Sequence, residues 1–209
     1  MVKSIFEKFK ADYPALEGCY DEVFAAFEAI CECYRGGGKV LVCGNGGSAA
    51  DSEHIVGELM KGFNLKRPLS DDMKARFAEV GAAEVAECLQ GALPAITLVS
   101  QTALITAFMN DVDPSMVFAQ QVFGYAVKGD VLIALSTSGN SGNIVNAALT
   151  AKALGIKSAA VTGEKDSKLS ALADICIKTP RNTPYEVQEF TLPIYHALCA
   201  MVEAEFFAE

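Results

Sequence analysis

A chain of 209 residues with 51% hydrophobic and 21% charged residues can bury a sizeable core, which predicts one globular domain over 1–209. The formal net charge of −9 opposes binding to nucleic acid and to anionic membrane surfaces, so we expect neither as a partner. Seven cysteines without paired spacing argue against a disulfide scaffold and predict a cytoplasmic location. No apolar run reaches the roughly 18 residues of a membrane span.

The predicted elements begin with helices and continue as a repeated strand, loop and helix. Residues 3–35 carry apolar side chains at helical spacing, interrupted at Pro14, so 1–38 should form N-terminal helices. Five short apolar runs are typical of strands buried on both faces: 39–44, 95–100, 130–136, 157–163 and 175–180. Their alternation with helices predicts an α/β fold, a five-stranded parallel sheet with helices on both faces.

Two further segments have distinctive patterns. Residues 64–92 are charged and helix-prone, which predicts a helical insertion that serves as a lid, an interface element or a solvated surface helix. The last helix should start with a capping box, because Thr183 and Glu186 flank a proline at the first helical position. Pro193 predicts a kink within that helix.

Two glycine- and serine-rich loops follow predicted strands and precede helices. The first is GNGGS, with Asn45, Gly46, Gly47 and Ser48, and the second is STSGNS at 136–141. Backbone N–H groups at such helix starts bind anions, and the hydroxyls of the second loop add donors: Ser136, Thr137, Ser138 and Ser141. Alone, GNGGS could be a tight turn, but the two loops together favour a phosphorylated small molecule.

These residues resemble a known family. VLVCGNGGSAADSEH, NDVD, GDVLIALSTSGNSGNIV and AAVTG are similar to the sugar isomerase (SIS) domain, and most of all to the phosphoheptose isomerases. The resemblance covers about residues 39–205, apart from the insertion. It implies that the 136–141 loop holds a phosphate, and that Asn45, Ser48 and Asp111 contact the sugar.

The only two histidines complete the predicted site. His54 and Glu58 share a helical face, so they form either a local hydrogen bond or part of an active site. The resemblance implies that this pair meets Gln188 and His196, often around zinc, so His54, Glu58, Gln188 and His196 are candidate Zn²⁺ ligands. However, positions 188 and 196 lie about 12 Å apart along a straight helix, too far for one tetrahedral ion without a kink or a second protomer.

The implied reaction is aldose–ketose isomerisation of a sugar phosphate. It needs a base at the carbon beside the carbonyl and an acid at the oxygen of the enediol, which we assign to Glu58 and His196. Gln188 is also a candidate substrate contact. Differences from the family pattern at Tyr185 and Pro193, together with the insertion, leave open a substrate other than a heptulose phosphate.

Two other functions remain open at this point. The chain could be a non-catalytic SIS protein that binds a protein partner, although such relatives lack part of the acid and base set. It could also sense a sugar phosphate, although sensors of this kind usually carry a DNA-binding segment. The resemblance further implies a homotetramer, and the apolar N-terminal and last helices could supply its interfaces.

Overall fold

The computed structural model describes residues 1–208, and Glu209, the last residue of the predicted domain, lies outside the described part. The α-helices are Val2–Asp12 (α1), Tyr20–Arg35 (α2), Gly47–Met60 (α3), Asp71–Glu79 (α4), Ala83–Cys88 (α5), Thr102–Asp111 (α6), Val117–Tyr125 (α7), Gly142–Ala153 (α8), Lys168–Leu172 (α9) and Pro184–Phe207 (α10). The strands are Val40–Cys43 (β1), Ala95–Thr97 (β2), Val131–Leu135 (β3), Lys157–Thr162 (β4) and Ile175–Lys178 (β5). No helix within 1–208 has the length and apolar character needed to cross a membrane.

All five strands form one parallel sheet in the order β2-β1-β3-β4-β5. Both β1 and β3 are buried along their whole length, which explains why their sequences are continuously apolar. They are neighbours, with Cys43 aligned to Ala134, although they are far apart in sequence. The chain order reverses between them, and ligands bind at such a point beyond the carboxyl ends of the strands.

Each face of the sheet has its own hydrophobic core. One core joins β1, β3 and β4 to α2, α3 and α10, and includes Leu59 and Val202. The other lies beneath α7 and α8 and includes Val122 and Ile144. The predicted α/β architecture with helices on both faces is therefore confirmed.

The N-terminal and insertion segments are helical, as predicted. Asp12 ends α1 before a 3₁₀ turn at Pro14–Cys19, and α2 follows at Tyr20. In the insertion, α4 and α5 pack against each other, and α4 has no buried residue. The base of the insertion is attached by the Gly62 N–H, which donates to Gln90 Oε1 at 2.8 Å. The role of the insertion stays a prediction.

The start of α10 is correct, but the predicted capping box is wrong. The helix begins at Pro184 after Thr183, and the Thr183 side chain makes no cap hydrogen bond to the backbone. Its hydroxyl instead donates to the Glu186 carboxylate. The two side chains therefore bond each other, whereas in a capping box each would bond a backbone N–H group. Pro193 lies inside the helix.

Candidate active site

The two predicted anion-binding loops lie side by side at the carboxyl edge of the sheet. The first leaves β1 and enters α3, and the second leaves β3 and enters α8. The Asn45 and Asn143 side chains join them through two reciprocal amide hydrogen bonds of 2.9 Å. The N-termini of α3 and α8 therefore open at one place, where their first N–H groups can act on the same anion.

Glycine is required in the first loop for steric reasons. Gly46 has φ +55°, a conformation that other residues rarely adopt. A Cβ on Gly44 would collide with the carbonyl group of Ser48, which is buried in the first turn of α3. A Cβ on Gly47 would lie 2.6 Å from Gln188 Nε2, so the Gln188 amide already covers this loop. The structure thus brings Gln188 to the predicted substrate contacts.

The second loop is a tight turn whose hydroxyls differ in exposure. Ser136 is buried and donates to Ser141 Oγ at 3.2 Å, while Thr137 is half-buried. Ser138 is exposed, and its Oγ accepts from the Asn140 N–H at 3.1 Å. Gly139 has φ +62°, and a Cβ there would collide with Ser167, so the turn is fixed from behind. Ser138 is thus the most exposed of the four hydroxyl side chains in this loop.

Asp111 lies apart from these contacts. It is the exposed last residue of α6, and Asn110 Nδ2 donates to its Oδ1 at 2.8 Å. Among the described residues, no side-chain hydrogen bond links Asp111 to either loop. Its predicted contact with the sugar stays a prediction.

A chain of side-chain contacts runs from His54 through Glu58, both on α3, to Lys61, the residue that follows the helix. His54 Nε2 lies 3.1 Å from Glu58 Oε1, and Lys61 Nζ donates to Glu58 Oε2 at 3.0 Å. The Glu58 side chain is only 11% exposed, whereas those of His54 and Lys61 are 42% and 57% exposed. The carboxylate is thus held on both oxygens and mostly removed from water.

On its other side, His54 contacts Tyr195, and Tyr195 contacts Asp51; the sequence reasoning missed both residues. His54 Nδ1 lies 2.9 Å from the hydroxyl of Tyr195, which is also 3.3 Å from Asp51 Oδ1. Burial raises the pKa of Asp51 above its ordinary value, partly offset by the Tyr195 hydrogen bond and His54. Asp51, His54 and Glu58 share one face of α3 at spacings of three and four residues, a signal that could have indicated Asp51.

His196 completes the cluster from α10. Its ring centroid lies 5.1 Å from that of His54 and 5.6 Å from that of Phe63. Burial lowers the pKa of His196, and His54 lowers it further while Glu58 acts in the opposite direction. Nε2 of His196 is enclosed and has no hydrogen-bond partner among the described residues. An unpaired buried polar atom of this kind is typical of catalytic groups that await a substrate.

Of the predicted zinc ligands, His54, Glu58 and His196 lie in one cluster, whereas Gln188 lies elsewhere, against Gly47. No three or more His, Cys, Asp or Glu side chains within 1–208 are arranged to hold a metal ion. Gln188 lies against Gly47, which is seven residues or about 10 Å along α3 from His54. Zinc therefore stays a prediction, and no chemical step below passes through a metal.

Comparisons with known proteins identify the family. Residues 15–91 and 72–163 match the family profile described as SIS domain. The phosphoheptose isomerase of Shewanella denitrificans is 32% identical over 209 residues, covering 99% of this chain and 95% of the relative.

Two solved structures are similar over nearly their whole length. A phosphoheptose isomerase from Francisella tularensis has a TM-score of 0.76 at 30% identity, covering 96% of this chain and 95% of that one. Phosphoheptose isomerase GmhA from Neisseria gonorrhoeae has a TM-score of 0.73 at 29% identity, with coverages of 94% and 93%. Sequence and fold agree, and the chain belongs to the SIS domain family, among its phosphoheptose isomerases.

Proposed function

We propose that this chain is an aldose–ketose isomerase of a sugar phosphate, and that sedoheptulose 7-phosphate is converted to glycero-manno-heptose 7-phosphate. The observation that carries the proposal is the combination of two joined loops with the buried Glu58 carboxylate and with His196, whose Nε2 has no hydrogen-bond partner within 1–208. A partner-binding or sensing SIS protein would have no need of the enclosed Glu58 and His196 pair.

The reaction requires one proton to move between two neighbouring carbons. Glu58 removes a proton from C1 of the ketose, and the electron pair forms the C1–C2 double bond of an enediol as the C2 carbonyl oxygen gains a proton. The same proton, or one exchanged with water, is then returned to C2, and the C1 hydroxyl loses its proton to give the aldehyde. His196 transfers the protons at the C1 and C2 oxygen atoms, because its Nε2 has no hydrogen-bond partner among the residues that the structure describes.

The surroundings of Glu58 suit a base. Lys61 and His54 each contact one of its oxygens, so the carboxylate is held in a single orientation rather than rotating. Glu58 lies eleven residues after Gly47, or about 16 Å along α3. The base and the anion-binding loops therefore lie at opposite ends of α3.

Proton NMR in deuterium oxide tests the proposal. We expect sedoheptulose 7-phosphate to give an aldose product with deuterium at C2, because the enediol exchanges its proton with solvent. A panel of shorter ketose phosphates measures how far chain length matters. Turnover of a shorter sugar alone would overturn the heptulose assignment, and no product or exchange with any sugar, with metal supplied, would overturn the isomerase assignment.

Ser138→Ala tests the phosphate site separately. Hydrogen bonds to charged groups contribute about 1.5–3 kcal/mol, so we expect KM to rise roughly 10-fold or more. The expected kcat is unchanged, because Ser138 lies at the opposite end of α3 from Glu58. Ser4→Ala, an exposed serine on α1, is the control. Steady-state kinetics of both variants check this, and an unchanged KM in Ser138→Ala would contradict the phosphate assignment.

We also infer that the chain forms a homotetramer. An apolar groove of about 320 Å³ between α7 and α8 is lined by Met116, Phe123, Leu149 and Leu154, and Phe123 is 66% exposed. Exposed apolar surface of this kind is commonly buried between subunits. Size-exclusion chromatography coupled to light scattering tests the tetramer.

Bound zinc is a separate prediction, and elemental analysis of protein purified without chelator tests it.

A further inference from the structure

Two asparagine side chains join the loops of the candidate site, and only one of them is a predicted substrate contact. Asn45 belongs to that predicted set, whereas Asn143, the second residue of α8, has no predicted role. Each side-chain amide donates an N–H to the oxygen of the other at 2.9 Å. The Asn143 oxygen also accepts from the Ile144 N–H at 3.0 Å, so the amide of Asn143 is held in one orientation at the start of α8.

The asparagine pair, Asn45 with Asn143, is the link between the loops beyond the ends of their strands. The sheet aligns the two chains as far as Cys43 and Ala134. Within the described residues 1–208, no other hydrogen bond joins 45–48 to 136–143. The spacing of the two loops at the edge of the sheet therefore depends on this pair.

That spacing decides how two sets of backbone donors face a ligand. The N–H groups of Gly47, at the start of α3, and of Gly142 and Asn143, at the start of α8, have no hydrogen-bond acceptor within 1–208. The asparagine pair leaves each of its amides one further N–H and one further oxygen lone pair. Asn45 can therefore contact a substrate without releasing Asn143.

We propose that Asn143 is a positioning residue that holds the first loop against the second, so that donors from both loops meet one phosphate group. This proposal rests on the proposed isomerase function, because the phosphate is that of the sugar phosphate. Asn45 is exposed and Asn143 half-buried, so water competes for the pair and its contribution to folding is small. Its effect is on binding, because a loop already held in its bound position has less freedom to lose when the ligand binds.

Asn143→Ala removes one side of the pair. We expect the Kd for inorganic phosphate and for sedoheptulose 7-phosphate, measured by calorimetry, to rise roughly 5- to 20-fold, the range for one or two lost hydrogen bonds. Steady-state kinetics should show a similar rise in KM with kcat nearly unchanged, because Glu58 lies at the other end of α3. A variant that was merely misfolded would lose kcat and thermal stability as well.

Asn146→Ala is the matched control. Asn146 lies on the same helix three residues after Asn143, and its amide donates to the Ser115 carbonyl at 3.0 Å and not to either loop. The same change of asparagine to alanine should leave the phosphate affinity unchanged. If Asn143→Ala binds phosphate as tightly as Asn146→Ala, the proposal is wrong.

A double-mutant cycle tests whether the two asparagines act as one unit. Asn45→Ala should also weaken phosphate binding, because it breaks the same pair. The double variant should then bind phosphate no more weakly than the weaker of the two single variants, since residues that act through one contact are not additive. Losses that multiply in the double variant would show two independent contacts and would overturn the proposal.

Asn143→Asp tests where the anion lies. Its carboxylate can still accept from Asn45 but cannot donate, and it places a negative charge beside the phosphate. We expect a larger loss of phosphate affinity than in Asn143→Ala, and a smaller loss would contradict an anion held between the loops.

Turnover by the unmodified protein separates this proposal from the proposed function. Phosphate binding that depends on Asn143, without turnover of any sugar phosphate, would reject the isomerase function and leave the positioning role in place. Turnover with a phosphate affinity that does not depend on Asn143 would reject the positioning role alone. Failure of the unmodified protein to bind either anion would overturn both.

Discussion

Replacement of Glu58 by glutamine should lower kcat about 10²- to 10⁴-fold, the range that a general base contributes. Glutamine keeps the size and shape of the side chain but cannot take a proton from carbon. Deuterium exchange into the substrate should disappear together with product formation, because both depend on the enediol. Proton NMR in deuterium oxide measures the two in one experiment.

Substrate binding by Glu58→Gln should be nearly unaffected. The loops that carry Ser48 and Ser138 lie at the other end of α3, and neither contacts Glu58. The affinity of the variant for sedoheptulose 7-phosphate, measured by calorimetry, should therefore stay within about twofold of the unmodified protein. A variant that has lost both binding and turnover would indicate a disturbed fold instead of a missing base.

Glu53→Gln is the matched control. Glu53 lies on the same helix, is exposed and accepts a hydrogen bond from Ser100, and among the described residues it makes no hydrogen bond to the imidazole cluster. The same change of carboxylate to amide should leave kcat close to that of the unmodified protein. If Glu58→Gln behaves like Glu53→Gln, Glu58 is not the base, and the assignment of the reacting carboxylate is wrong.

The sequence predicted the sheet better than the helices around it. Strands such as β1 and β3 are apolar on both faces because helices cover both sides, and that pattern is visible in any short window. Helix α7 was not predicted as a separate element, because it follows a 3₁₀ turn at Pro114–Met116 with no side-chain cap at its own start. The Thr183 and Glu186 pattern failed because the two side chains bond each other.

For the site, the sequence could predict residues on one helix but not their partners on another. His54 and Glu58 were recognisable from spacing along α3, and Lys61 at i+3 from Glu58 could have been found in the same way. Tyr195 and Asp51 meet only because α3 packs against α10, which no local pattern reveals. Asn143 pairs with Asn45 only because β1 and β3 are neighbours in the sheet.

A buried ion pair fixes the end of α3 where Glu58 lies. The side chains of Arg67 and Glu203 are 0% and 1% exposed, and Arg67 Nε donates to Glu203 Oε1 at 2.8 Å. Arg67 also donates to the carbonyls of Leu59 at 2.7 Å and Glu58 at 3.0 Å. These carbonyls belong to the last turn of α3, which has no further helical partners for them.

Glu203 satisfies the chain that follows α3. Its carboxylate accepts from the N–H groups of Phe63 and Asn64, both at 2.7 Å, and of Leu65 at 3.1 Å. Burial alone would raise the pKa of Glu203, but these N–H groups and Arg67 outweigh it, so the pKa lies below its ordinary value. Because the folded-state pKa is lowered, this stabilisation is present above the unfolded-state pKa of about 4 and is lost as the pH falls.

Arg67→Met should therefore lower the free energy of unfolding by about 3–5 kcal/mol, because it leaves Glu203 buried without its counter-charge. Arg76→Met is the control, since Arg76 pairs with Asp72 on the exposed helix α4, where such pairs contribute only about 0.3–0.5 kcal/mol. Urea unfolding at neutral pH, followed by circular dichroism, measures both variants. A loss in Arg67→Met no larger than in Arg76→Met would show that the buried pair does not hold α3 to α10.

The double variant Arg67→Met with Glu203→Leu separates the ion pair from the packing. Removing both charges leaves no uncompensated buried charge, but the N–H groups of Phe63, Asn64 and Leu65 then lose their acceptor, so the double variant should regain only part of the stability that Arg67→Met loses. It should not regain full activity, because the carbonyls of Glu58 and Leu59 still lack the donors that Arg67 supplied. Recovery of stability without recovery of kcat would show that Arg67 acts on the position of Glu58 as well as on the fold, whereas recovery of both would restrict its role to stability.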